Sequence, residues 1–323
     1  MTTKQLKDRW DKYPAKKLSG GLFGIKDTKS PFGLTEEGYE DFRGIHIEDT
    51  LKKANFMNAD FSYASFGEMS RIYNCAFFNV LFYKADMQHF SEHANLFKKC
   101  VFDQCKFNFA YIGGGSSQYE NCLFIKNKFY RTTMFKKPEF YNCIFENNRL
   151  KGVDFSVAYF ENCKFIGDIV DVPFRGDDPS GQSGEFKKNI MKNIDFSHAN
   201  LSWIGFTGGI PLNDIKLPSD KNIIFIEDMY SIICQAYKNL NKYFYDEKER
   251  NIASEILQEY LSDVGVNNNI LQVCDDKLIE IEQTQEIYNL NDIMDYHDVD
   301  CNFIDKFRQL ISDAKEHISI RMK

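Results

Sequence analysis

Within Ala54-Asn-Phe-Met-Asn-Ala-Asp-Phe-Ser-Tyr-Ala-Ser-Phe66, a small residue, a polar residue and a phenylalanine recur every five positions. A five-residue period fits neither the 3.6-residue turn of a helix nor the two-residue alternation of a strand. It fits a chain that turns a corner once per repeat, with the phenylalanine and the small residue both directed inward. The pattern continues with interruptions through Phe82, Phe102, Phe107, Phe124, Phe129, Phe145 and Phe165, and resumes at Met191, Phe196, Leu201 and Phe206. Of the 30 phenylalanines, 23 fall between Phe56 and Phe206, which marks an internal repeat and not an ordinary core.

The triplets Ala54-Asn55-Phe56, Ala59-Asp60-Phe61 and Ala199-Asn200-Leu201 resemble the pentapeptide-repeat family over roughly residues 51–210, about half the chain. The resemblance implies a right-handed, four-sided β-helix in which four repeats make one coil. The expected fold is therefore mainly β, a quadrilateral solenoid followed by an α-helical C-terminal domain.

Counting tests the four-per-coil geometry. From Phe102, four repeats with two extra residues near Gly113-Gly-Gly-Ser-Ser117 reach Phe124. Four more with one extra near Lys136 reach Phe145, and a further four reach Phe165. Cysteine precedes each by two positions, so Cys100, Cys122, Cys143 and Cys163 should form one column at the spacing of hydrogen-bonded strands, about 4.8 Å. The phrase Asn-Cys-x-Phe recurs at Asn121, Asn142 and Asn162, and the adjacent column reads Asn127 and Asn148, which local side-chain to backbone bonding on turns would explain. A cysteine column can be read as a thiolate metal site or a redox pair. A linear stack offers no tetrahedral ligand set, so compact buried side chains are the better reading.

The remaining segments are expected to cover or interrupt the coil. Residues 1–50 read as a lead-in and cap, in which Leu6, Trp10, Phe42, Ile45 and Ile47 shield the first open edge. The stretch 171–186, rich in glycine, proline and aspartate, is expected to leave the solenoid as a loop, with Phe174, Arg175, Asp177 and Asp178 as candidate partner contacts. The glycine run at Gly113 lacks the spacing of a phosphate loop. His89 and His93 are four apart but lie in solenoid sequence, where that spacing does not pair them.

Pro218 is the expected end of the solenoid domain, 51–217, and residues 218–323 read as an acidic helical domain. One apolar stripe runs from Met229 to Phe244 and a second from Ile252 to Leu261, separated by Asp246-Glu-Lys-Glu-Arg250. Further helices are expected from about Lys277 to Tyr288 and from about Phe303 to Ile320. The run Ile223–Ile226 could supply a last strand. The cluster Asp295-Tyr-His-Asp-Val-Asp-Cys301 gathers potential metal ligands in no recognised spacing, and a solvated loop capping the next helix accounts for it.

Charge separates the two parts. The formal net charge of the chain is −7; residues 221–323 hold 20 acidic and 11 basic side chains, or −9, leaving +2 for the rest. Neither part has the concentrated basic surface of a nucleic-acid binder. The nine cysteines are an odd count without a short disulfide framework, and no apolar run would span a bilayer; reduced thiols and a cytoplasmic location are expected. No nucleophile, base and orienter set is evident, and no cofactor or metal is implied. The reading is a non-enzymatic interaction or scaffold protein with an unidentified protein partner, and pairing as a homodimer is left open. Two alternatives stand beside it. One is a DNA-shaped topoisomerase ligand of the quinolone-protection kind, known among relatives of the family. The other is a metal-dependent activity at Asp295, His297, Asp298 and Asp300.

Overall fold

The computed structural model describes residues 1–13, 26–177, 188–211, 214–226, 228–263 and 285–321. The chain divides into two compact units, Met1–Asn200 with Ile210–Pro218, and Leu201–Gly209 with Ser219–Lys323.

The first unit is a four-sided β-solenoid. Short strands on successive coils pair in parallel, as in Val101↔Leu123, Phe102↔Phe124 and Asp103↔Ile125, then Phe124↔Phe145 and Phe145↔Phe165. A residue in the left-handed region lies three positions before most inward centres: Lys53 before Phe56, Asn58 before Phe61, Asn121 before Phe124, Asn142 before Phe145. That conformation rotates the chain through one corner. Asparagine tolerates it better than most L-residues, which explains the recurring Asn-Cys-x-Phe phrase.

Stacking the coils aligns their phenylalanines. One ladder runs Phe42, Phe61, Phe82, Phe102, Phe124, Phe145, Phe165, Phe196, with ring centroids 4.7–5.4 Å apart along the series. A second runs Phe56, Phe77, Phe97, Tyr119, Phe140, Phe160 at 4.6–5.1 Å. The backbone hydrogen bonds between coils set this spacing, and the flat rings fill it. The repeat begins earlier than residue 51. Lys26–Asp27, Glu40–Asp41 and His46–Ile47 already pair with the following coil, and Phe42 is the first rung. Their spelling departs too far from the five-residue pattern to be read as coil.

Helix α1, Thr3–Asp8, starts with a capping box between Thr2 and Gln5. It delivers Trp10 onto Phe42 at a centroid distance of 6.1 Å. Arg9 and Arg43 both pair with Asp41, at 2.6 and 2.9 Å. Burial raises the Asp41 pKa, but the hydrogen bonds from Arg9 and Arg43 outweigh it and hold the carboxyl well below the usual range.

The expected loop at 171–186 begins later. Strand Lys164–Arg175 runs on, Asp171 is one more left-handed corner, and Pro173 accepts a bond from Phe155 N at 3.2 Å. The chain is back in the coil at Asn189, whose N–H donates to Gly176 O at 3.0 Å. Glycine and proline counts misplaced this boundary because Val172 and Phe174 still supply inward side chains.

The second unit is built on helices α2 (Met229–Tyr243), α3 (Glu247–Asp263), α4 (Leu290–His297) and α5 (Cys301–Arg321). Both apolar stripes are buried in one core with Phe303, Phe307, Leu310 and Ile311 of α5. Asp228 caps α2 through Ser231 N at 3.1 Å. The helix expected up to Tyr288 is not formed at its end: Gln285–Asn289 is a strand, antiparallel to Ile223–Ile226 and to residues 204–206. Strand pairing on both sides of this segment overrides its modest helix preference.

Candidate functional site

The cysteine column forms as spaced. Cys100, Cys122, Cys143 and Cys163 are free and buried, and each thiol lies 3.2–3.5 Å from a carbonyl one coil back, of Phe77, Phe97, Tyr119 and Phe140 respectively. Cysteine therefore satisfies an inward carbonyl where alanine would leave it to its backbone bond alone. Burial pushes the thiols of Cys122, Cys143 and Cys163 well above their ordinary pKa, and that of Cys75 up to about 11. Among the seven free cysteines described, only Cys301 is exposed. A thiol reagent at neutral pH should thus modify Cys301 at once and the six solenoid thiols only on unfolding. Rapid labelling of Cys122 or Cys143 in the folded protein would contradict this. Cys234 is disulfide-bonded, a departure from the expectation of reduced thiols throughout.

Asn127 and Asn148 bond across coils and not locally. Asn127 Oδ1 accepts from Cys105 N at 2.8 Å and its Nδ2 donates to Phe102 O at 2.8 Å; Asn148 bonds Asn127 N and Phe124 O in the same way. Each amide replaces an inter-coil backbone bridge at a buried position.

Of the candidate partner contacts, Phe174 is a core residue. It is 0% exposed and stacks on Phe155 at 5.8 Å, so it cannot meet a partner without opening the coil. Arg175 pairs with Asp177 at 2.5 Å, and Asp178 lies outside the described residues.

One buried acid escaped the sequence reading. Glu92 is 1% exposed and stands in the inward column that otherwise reads Leu51, Ile72, Ile112, Phe135, Phe155, Phe174. Its carboxylate accepts from Asn95 Nδ2 at 2.9 Å, from Tyr119 OH at 3.2 Å, and from Gly113 N–H and the Ser117 hydroxyl. The register shift between Tyr111 and Gly114 creates this cradle, turning the Gly113 amide onto the acid at a φ of +86°. Burial pushes the Glu92 carboxyl pKa up despite the four donors, and no ion pair reaches it among the described residues. The signal was present: position 92 is five from Met87 and five from Phe97, where an inward apolar side chain belongs.

The second unit carries a pocket of about 420 Å3 lined by Trp203, Ile256, Glu259, Tyr260, Asp292, Ile293, Tyr296 and His297. Trp203 comes from the 201–209 segment, Glu259 and Tyr260 from α3, and Asp292, Tyr296 and His297 from α4. Tyr260 stacks on Tyr288 at 3.8 Å, and Trp203 stands edge-on to Tyr288 at 5.5 Å, which fixes the apolar floor. His297 Nε2 lies 3.3 Å from Glu259 Oε2, and Asp292 accepts from the Ser202 hydroxyl.

The Asp295–Cys301 cluster is dispersed. His297 turns to Glu259, Asp298 ends α4 in a left-handed conformation, and Asp300 caps α5 through Phe303 N at 2.8 Å. The side chain of Asp295 is outside the described residues. Among the described residues no group of three or more His, Cys, Asp or Glu is placed to hold a metal ion. No described helix is long and apolar enough to cross a membrane.

No protein-family model and no curated protein matches the chain. Solved structures of QnrB1, described as a plasmid-mediated fluoroquinolone resistance protein, do align with it. One trypsin-treated variant aligns with 18% identity over 55% of this chain and 86% of the other, at a TM-score of 0.26. A second gives 17% identity over 55% and 86%, at 0.20. Full-length QnrB1 gives 16% over 54% and 94%, at 0.18. Superpositions this loose leave the assignment to the coils themselves. With five-residue sides, a left-handed corner before most inward centres and aromatic ladders in parallel register, the chain folds as a four-sided β-solenoid of the pentapeptide-repeat type with a helical C-terminal region.

Proposed function

We propose that the protein is a non-enzymatic interaction protein in which the solenoid is a rigid body and the helical unit carries the contact for a protein partner. The observation that carries this reading is the contrast in polar chemistry. In the solenoid interior the cysteine, asparagine and glutamate side chains are taken up in coil-to-coil bonds, whereas the helical unit presents a pocket with exposed aromatic and acidic groups.

The competing topoisomerase reading asks for a continuous acidic face. On the bridged column Ser65, Asp86, Lys106, Lys128, Arg149 the outward charge turns basic over three successive coils. On the opposite face Glu120 and Glu161 are paired to Lys98 and Lys192, at 2.7 and 3.0 Å.

The test uses the full chain as bait, with a Trp203→Ala/Tyr296→Ala variant in parallel, and a supercoiling assay on purified gyrase. The reading expects a defined partner retained by the native chain and lost by the variant, and unaffected gyrase. Inhibited supercoiling, or a partner indifferent to the pocket, would overturn it.

A further inference from the structure

We propose that the pocket between α3, α4 and Trp203 is a binding site for an organic monocation, an alkylammonium or guanidinium group. The proposal deepens the reading above and rests on it only for the source of the cation, a lysine or arginine side chain of the partner.

Three observations converge. First, the walls are aromatic and open: Trp203 is 39% exposed and Tyr296 80% exposed, while Tyr260, Ile256 and Ile293 are buried as a floor. Large aromatic side chains held at a pocket rim present the negative faces of their rings to a cation, and indole is the strongest such face. Second, among the described residues the ionisable groups lining the pocket are two carboxylates, Glu259 and Asp292, and one imidazole, His297. Among the described residues no lysine or arginine lines it. His297 already stands against Glu259, and Asp292 takes a single hydroxyl from Ser202. The Glu259 side chain keeps 44% of its surface in solvent, so its carboxylate has room for a further donor.

Third, alternatives fit less well. An anion would meet both carboxylates. A neutral apolar group would cover them without pairing, at the cost of desolvating charge. A divalent metal would need convergent ligands, and among the described residues none converge. A volume of about 420 Å3 suits a side-chain-sized head group. An ammonium or guanidinium can lie on the Trp203 face and donate to Glu259 or Asp292 at once.

The chain has two tryptophans, Trp10 and Trp203, and only the second lies at the pocket. Titrating the full-length protein with N-acetyl-arginine methylamide, N-acetyl-trimethyllysine methylamide and spermidine, followed by tryptophan emission, should give a saturable change at millimolar or lower concentration. The two amino-acid probes stand for a protein source and spermidine for a free amine. N-acetyl-norleucine methylamide, the uncharged control, should give none. Glu259→Gln/Asp292→Asn, checked for native circular dichroism, should weaken the cations roughly tenfold or more. Trp203→Phe should abolish the signal, and calorimetry on that variant should still show weakened binding.

Equal binding of the uncharged control, an unchanged affinity in the double variant, or no saturation with any cation would overturn the proposal. Cations that bind while partner capture ignores the pocket would sink the partner reading and leave the cation site standing. Capture that needs the pocket without any cation binding would do the reverse.

Discussion

Replacing Phe124 by alanine should cost about 3–5 kcal/mol of unfolding free energy, the range for buried aromatic truncations. Phe124 is buried between Phe102 and Phe145, at 4.9 and 4.7 Å, and the backbone bonds that fix this spacing prevent the coils from closing over the gap. Phe124→Leu keeps most of the volume and should cost less than about 1.5 kcal/mol. Denaturant unfolding of both variants checks the pair. A loss under about 1 kcal/mol for the alanine variant would show that the ladder is not a principal source of stability.

Glu92→Ala should be comparably severe, about 3 kcal/mol or more. It empties an inward position and strands the Gly113 amide and the Asn95, Ser117 and Tyr119 donors, each worth about 1–3 kcal/mol when buried without a partner. Glu92→Gln keeps the shape and most of the bonds and separates packing from charge. Because burial raises the folded carboxyl above its ordinary value of 4.5, the folded protein holds the proton more tightly than the unfolded chain. That contribution is fully present below about pH 4.5 and is lost as pH rises through the folded pKa, with a slope of at most about 1.4 kcal/mol per pH unit. The stability of the native chain relative to Glu92→Gln should therefore fall between acid and neutral pH. A difference that is flat, or that grows with pH, would contradict the assignment.

The five-residue spelling made the solenoid legible because corner geometry and inward packing both act within a single repeat. Counting four repeats between cysteines placed the column, and the two extra residues near Gly113 marked the register shift later seen against Glu92. What the spelling did not show were features decided between coils. The Asn127 and Asn148 amides look like turn residues in one dimension and are cross-coil bridges in three. Phe174 sits among prolines, glycines and aspartates that suggest a loop, yet its ring completes a stack. Phe42 belongs to a coil whose neighbours no longer follow the pattern. In the helical unit the apolar stripes were plain from their 3.6-residue spacing. The pocket was not, since Trp203, Glu259 and Asp292 are brought together only by strand pairing and helix packing that no local pattern records.

The most direct measurement is hydrogen exchange on the full-length chain with and without its captured partner. The account predicts added protection at residues 256–263 and 290–297, with the coils from 101 to 175 unchanged. Protection confined to the coils, with the helical unit exchanging as in the free protein, would contradict it.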